Sequence, residues 1–189
     1  MRQATILLVL CITLLTASSL GATEPTADPL SRWQFTVDAE LNSPLIGAMT
    51  GNGNWFDTVA AAARIGIHKK RIGIFAFMEY SIFTEPSYDD EVSNRLLSFG
   101  AGTSFDYFHH RMRAMIQIGA TALLTSSFQN EAGEIGMFNE IRPAGFVIPL
   151  KRVNLQIYPI TLSWIMPVLE NIPLFYIHYR TAVSVGGTF

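Results

Sequence analysis

Alternation of apolar and polar residues runs through most of this chain, and it is clearest between Trp33 and Asn42. In that segment every second side chain is apolar, beginning with Trp33 and Phe35, and the side chains between them are polar. A period of two residues places the two sets on opposite faces of an extended strand, whereas a helix would show a period near 3.6 residues. The pattern therefore predicts a β-strand with one apolar face and one polar face.

Seven further segments repeat this alternation with varying regularity. The most regular are Phe175 to Phe189 and residues 111–124, and the others cover 55–67, 72–83, 95–105, 138–148 and 153–165. Pro143 and Pro159 interrupt two of them. Because proline cannot donate a hydrogen bond to a neighbouring strand, we expect a bulge or a shift of phase at each. The chain is predicted to be all-β, with eight strands.

The connections between the predicted strands alternate in length. The long ones are rich in polar residues, glycine and proline and cover 43–54, 84–94, 125–137 and 166–174, whereas the short ones cover 68–70, 106–109 and 149–151. An even number of antiparallel strands, with long links at one end and short turns at the other, is typical of an up-and-down transmembrane β-barrel. Such a sheet can cross hydrocarbon because closure leaves no edge with unpaired backbone groups.

Composition agrees with a membrane protein that has no membrane helix. Hydrophobic residues make up 49% of the 189 positions and charged residues only 15%, with a net charge of −2. This balance excludes a disordered chain, and the lack of a basic excess argues against nucleic-acid binding. The longest uncharged stretches after residue 22 contain several polar residues or prolines, so neither is predicted to be a spanning helix.

The first 22 residues are predicted to be a signal peptide. Met1-Arg2 supplies a short positive region, Ile6 to Leu15 an apolar one, and residues 17–22 the small side chains of a cleavage site. Residues 23–189 are then the barrel domain. The one cysteine, Cys11, falls within the signal peptide, so the mature chain is expected to form no disulfide and no zinc-thiolate site. We expect no metal and no cofactor.

The C-terminal segment carries the most specific motif of the chain. Tyr179, Val183 and Val185 alternate with polar or small residues, and the sequence ends at Phe189. In this the chain resembles the small eight-stranded outer-membrane barrels of Gram-negative bacteria, such as OmpX-like proteins and the transmembrane domain of OmpA. The resemblance implies that this strand is the signal read by the barrel-assembly machinery. It also implies an outer-membrane location, long links outside, short turns in the periplasm, contact with outer-membrane lipid and lipopolysaccharide, and a monomer.

The polar face of the predicted strands contains charges of both signs, at Asp38, Glu40, Arg64, Glu79, Arg111, Arg113 and Arg180. Glu140 and Arg142 join this set if the phase of their strand turns them inward. An eight-stranded barrel is only wide enough to be filled by side chains, and unpaired charge in such a space is costly. We therefore expect a lumenal charge network that fills the bore. The alternative is a gate, in which one carboxylate switches between arginine partners and opens a narrow ion path.

These features predict a structural, surface-interaction or minor permeability protein of the outer membrane. A lipid-modifying enzyme is one alternative, since lipid A deacylases also use eight-stranded barrels, but the deacylase spacing of His and Ser two residues apart does not occur in the sequence. A soluble periplasmic β-barrel that binds hydrophobic ligands is another. Basic residues cluster in the short turns, at Lys69 to Arg71 and at Lys151 and Arg152, where we expect anionic phospholipid headgroups as neighbours.

Overall fold

The computed structural model describes residues 32–49, 55–85, 92–125, 135–150, 153–167 and 176–189. They form a closed barrel of eight antiparallel strands in sequence order, in which β8 pairs with β1. The strands are β1 Gln34–Met49, β2 Trp55–Lys69, β3 Ile72–Glu85, β4 Val92–Tyr107, β5 Met112–Thr125, β6 Ile135–Leu150, β7 Val153–Pro167 and β8 Tyr176–Thr188. This confirms the predicted all-β, up-and-down architecture. The predicted signal peptide lies outside the described residues.

The strands extend further toward the long-link end than the alternation predicted. β1 continues to Met49, inside the segment predicted as a link, and pairs there with Trp55 of β2. The predicted length of this link was wrong because antiparallel pairing continues where the contrast between the two faces has already faded. The described residues contain no helix long and apolar enough to cross a membrane.

The two prolines mark shifts of register, as predicted. Arg113 of β5 pairs with Gly145, but Met115 pairs with Arg142, so β6 carries one extra residue beside Pro143. β7 has a matching irregularity between Tyr158 and Thr161, beside Pro159. Arg142 and Gly145 both face the interior although one position is even and the other odd. The bulge therefore changes which residues of β6 line the lumen.

Burial along the strands is the reverse of that in a water-soluble protein. Met78 and Ile118 point outward and are 56% and 55% exposed. Their sequence neighbours Glu79 and Gln117 point inward and are 1% and 2% exposed. Charged and amide side chains are rarely buried so completely unless they are paired, and large contiguous apolar surfaces are rare on soluble monomers. The outer surface is thus an apolar belt, and the polar core lies in the lumen.

Aromatic side chains fill part of the lumen beside the polar groups. The rings of Phe77 and Phe138 lie 5.4 Å apart between their centroids. Tyr158 occupies space that a glycine leaves free, because a Cβ on Gly145 would overlap its ring. Inward glycines thus make room for large inward side chains in a bore that side chains must fill completely.

Candidate functional site in the barrel lumen

Six fully buried charged side chains meet at the centre of the lumen, and we refer to them as the lumenal charge network. They come from β1, β2, β3, β6 and β8 and are Glu40, Arg64, Glu79, Glu140, Arg142 and Arg180. Each points inward because it occupies the inward phase of its strand. The network joins elements that are distant in sequence, so it exists only once the barrel has closed.

Glu40 is held by two arginines. Arg64 donates from Nη1 to Oε2 at 2.5 Å and from Nη2 to Oε1 at 2.9 Å. Arg142 donates to the same two oxygens, with 2.6 Å between its Nη2 and Oε1. Paired donors of this kind match the planar geometry of guanidinium and carboxylate groups. Glu40 therefore places one negative charge between two cations that would otherwise repel each other across the bore.

The contacts continue from Arg142 to the opposite wall. Its Nε donates to Oε1 of Glu140 at 2.7 Å, and Arg180 Nη2 donates to the other oxygen of Glu140 at 2.5 Å. Arg180 also reaches Glu79, with 2.7 Å between Nη1 and Oε1. Gln117 supplies a neutral donor to Glu140 at 2.7 Å. The carboxylates and guanidinium groups alternate from Arg64 to Glu79.

Charge within the network balances, with three carboxylates and three guanidinium groups. Because every charged group has at least one partner of opposite sign, the cost of burying it is offset by short-range attraction. Arg142 also lies over the ring of Tyr158, with 4.7 Å from Cζ to the ring centroid. The network crosses the interior and obstructs it with ion-paired side chains.

A second polar cluster lies toward the short-turn end. Arg113 contacts both oxygens of Asp106, from Nε at 2.6 Å and from Nη2 at 3.0 Å. Gln156 links this pair to β1, because it accepts a hydrogen bond from Arg113 Nη1 at 3.3 Å and its Nε2 donates to Oδ1 of Asp38 at 2.9 Å. Nε2 of His68 lies 3.3 Å from Oδ2 of Asp106. Asp38 and Arg113 therefore belong to a separate cluster below the lumenal charge network.

The prediction that Arg111 belongs to the lumenal charge network was wrong. Arg111 is exposed and lies in the turn before β5, which begins at Met112. The alternation in the sequence continues to Arg111, one residue before β5 begins, and a residue in the turn does not follow the inward and outward directions of the strand. The other predicted charges, Asp38, Glu40, Arg64, Glu79, Arg113 and Arg180, all take part in the two inward clusters.

The sequence pattern does not distinguish several polar residues that contact these clusters, namely Asn42, Asp106, Gln117, Gln156 and Tyr158. The alternation places Asp106 in a turn, but β4 extends to Tyr107, and Asp106 is therefore a buried residue of that strand. Gln117 and Gln156 lie on the inward face, as the alternation predicts, but the alternation does not show which inward residues take part in the clusters. The inward glycines, such as Gly145, carry a further signal, because a small inward residue leaves room for a large inward side chain on the neighbouring strand.

Residues of the predicted assembly signal lie on the outer surface or at the seam. Tyr179, Val183 and Val185 are outward on β8 and partly exposed. Phe189 exchanges backbone hydrogen bonds with Phe35 of β1 at 2.9 and 3.1 Å. The chain end thus takes part in closing the barrel.

Hydroxyl groups on β7 and β8 also face the interior. Thr161, Ser163 and Ser184 are buried without a hydrogen-bond partner for the hydroxyl among the described atoms. Buried polar groups normally bind protein or water, and a serine hydroxyl can do either.

Within the described part of the chain, no group of three or more His, Cys, Asp or Glu residues is placed to hold a metal ion.

Comparison with known proteins shows likeness only at the level of structure. No family model matches the chain, and no curated protein matches it. The outer membrane enzyme PagL is 11% identical, with a TM-score of 0.48 over 78% of this chain and 97% of that one. Ail, the attachment invasion locus protein of Yersinia pestis, solved with the heparin analogue sucrose octasulfate, is 8% identical, with a TM-score of 0.47 over 82% and 97%.

Neisserial surface protein A is 12% identical, with a TM-score of 0.46 over 81% of this chain and 96% of that one. The resemblance to small eight-stranded barrels is confirmed in architecture by the closed antiparallel sheet itself.

Proposed function

We propose that this chain is an integral β-barrel of the bacterial outer membrane, with a structural or surface-interaction role and a lumen closed by ion pairs. The observation that carries the proposal is the inverted distribution of side chains around a closed sheet. Large apolar residues such as Met78, Phe99 and Ile118 are exposed, whereas the charges of the lumenal network are buried. Contact of this apolar surface with lipid tails carries no hydrophobic cost, whereas its exposure to water would be unfavourable.

The length of the strands supports a membrane-spanning position. They contain between 13 and 16 residues, as in β8 and β1. A tilted strand needs about 9–11 residues to cross the hydrocarbon core. Every strand is therefore long enough to span a bilayer with residues to spare at the ends.

Insertion is tested by refolding the mature chain into phosphatidylcholine vesicles. The expected product is a band that migrates faster on unheated SDS gels than after boiling, together with flotation of the protein with the vesicles. A folded monomer that stays in detergent-free buffer and does not float would overturn the proposal. It would instead favour a soluble periplasmic binder.

The closed lumen favours a structural or surface role over an open pore. In the lumenal charge network each arginine contacts at least one carboxylate, so ion flow requires these contacts to exchange. Planar-bilayer recordings of the inserted protein are expected to show no stable open level at moderate voltage. Regular conductance steps would contradict the closed lumen and indicate the gate, in which a carboxylate exchanges arginine partners.

The proposal includes no catalytic activity. The histidines whose contacts are described, His68 and His110, approach the carboxylate of Asp106 at the short-turn end. Mass spectrometry of lipid A from cells with and without the protein should show the same acyl pattern. A changed pattern would replace the structural role with lipid modification. The proposed partners are outer-membrane lipid, lipopolysaccharide and the barrel-assembly machinery, and the proposed state is a monomer.

A further inference from the structure

Four neighbouring strands present a continuous row of side chains on the outer surface near the short turns. Lys69 pairs with Ile72 across β2 and β3, and Ile72 pairs with Phe105 across β3 and β4. Trp33, just before β1, extends the row on the other side, because Lys69 Nζ lies 5.5 Å from the centre of its ring. One cation is thus embedded among three exposed apolar side chains.

Two more cations stand directly beyond this row. Lys70 and Arg71 form the turn between β2 and β3, and both are exposed. Neither side chain takes part in an ion pair within the described residues. With Trp33, Lys69, Ile72 and Phe105 they line an open groove of about 510 Å³. No acidic side chain lines it.

We propose that this groove binds the phosphate headgroup of an anionic phospholipid in the leaflet that meets the short turns. The inference rests on the proposed insertion of the barrel in a membrane. The cations of Lys70 and Arg71 would contact the phosphate, since ammonium and guanidinium groups are the side chains that bind phosphate most strongly. Ile72 and Phe105 would contact the first acyl segments of the same lipid.

Charge and position together select this ligand over others. Aromatic residues such as Trp33 are favoured at the boundary between hydrocarbon and headgroups, which places the groove at headgroup depth. The Lys69 ammonium group lies over the Trp33 ring and so adds a third positive charge at the same depth. A zwitterionic headgroup would bring a choline or ethanolamine cation close to three cations and would bind less well.

Quenching of Trp33 emission by lipids with brominated acyl chains tests the proposal. The parent for this experiment carries Trp55→Phe and Trp164→Phe, so that emission reports Trp33 alone. Phosphatidylglycerol and phosphatidylcholine, each in a brominated form, compete in vesicles at low ionic strength. We expect phosphatidylglycerol to bind beside Trp33 with a constant at least about fivefold higher, the effect of one cation near a membrane surface.

The variant Lys70→Asn/Arg71→Gln removes both turn cations, and asparagine suits the left-handed backbone of residue 70, where φ is 55°. It should lose most of the preference for phosphatidylglycerol. Lys151→Gln/Arg152→Gln removes the same charge from the sequence between β6 and β7, where a short turn is predicted, and should leave the preference at Trp33 unchanged. A second parent that retains only Trp164, on β7, should show no preference.

The results for the two lipids, the charge variants and the two parents distinguish a specific site from a general surface effect. Equal quenching by the two lipids in an inserted barrel would overturn the groove and leave the proposed function intact. Equal losses in the two charge variants, or the same preference at Trp164, would show a diffuse surface potential and would also overturn it. A chain that no brominated lipid quenches, and that forms no fast-migrating band, would instead contradict membrane insertion itself.

Discussion

Replacement of Glu40 by glutamine tests whether ion pairing in the lumen stabilises the barrel. The amide preserves the shape of the side chain but removes its charge. Arg64 and Arg142, which both donate to the Glu40 carboxylate, then face each other with one negative charge fewer between them. The network changes from three positive and three negative groups to an excess of one positive charge.

Removing one partner of a buried ion pair typically costs about 3–5 kcal/mol. Glu40 is 3% exposed and contacts two arginines, so water cannot screen the charges that remain. We expect the free energy of unfolding of Glu40→Gln to fall by about 3 kcal/mol or more. Urea unfolding of the protein in lipid vesicles, followed by tryptophan fluorescence, measures the difference.

A second variant separates charge balance from hydrogen bonding. Glu40→Gln/Arg64→Gln removes one charge of each sign and restores neutrality, so it should be more stable than Glu40→Gln alone although it has lost more contacts. Glu91→Gln, in the link between β3 and β4, is the matched control and should change stability by less than about 0.5 kcal/mol. The reasoning is refuted if Glu40→Gln matches this control, or if the double variant is the less stable of the two.

Three further outcomes follow from the fold. Ile118→Arg, in the outward belt, should lower the free energy of unfolding in vesicles by about 2–4 kcal/mol, whereas Phe105→Arg, near the short turns, should cost about 1 kcal/mol or less; equal costs would argue against a belt with a hydrocarbon centre. Gly145→Val should displace the Tyr158 ring and reduce the folded fraction on unheated gels, while full folding would show that the bore has spare room. Phe189→Ala should reduce the amount of folded barrel in cell membranes more than its refolding in vesicles, and an equal effect on both would indicate a role in closure alone.

The outward face of the barrel was predictable from sequence because it has a single requirement. Each outward side chain must be apolar wherever lipid touches it, and so Ile65, Met78 and Ile116 stand two residues from apolar neighbours on the same face. The bulges at Pro143 and Pro159 were predictable for an equally local reason, the missing N–H of proline. Both features depend on short-range chemistry that a sequence displays directly.

For the interior, the sequence predicted most of the charged residues that point inward but not how they pair. The sequence showed that inward charges of both signs exist, but the partner of each depends on the stagger of strands that are distant in the chain. Glu40 and Arg142 are 102 positions apart, and their contact follows from closure of β1 against β8 and from the phase shift in β6. Arg111 shows that the alternation also does not reveal where a strand begins, since this residue fits the pattern but lies in the turn before β5.

Accessibility of spin labels on single cysteines tests most directly whether the apolar face meets lipid. The predicted mature chain contains no cysteine, so a label can be placed singly at Ile65, Phe99, Ile116 or Ile118 of the vesicle-inserted barrel. At all four positions we predict high accessibility to molecular oxygen, which concentrates in hydrocarbon, and low accessibility to a water-soluble nickel complex. High accessibility to the nickel complex at these positions would contradict a lipid-facing belt and the account built on it.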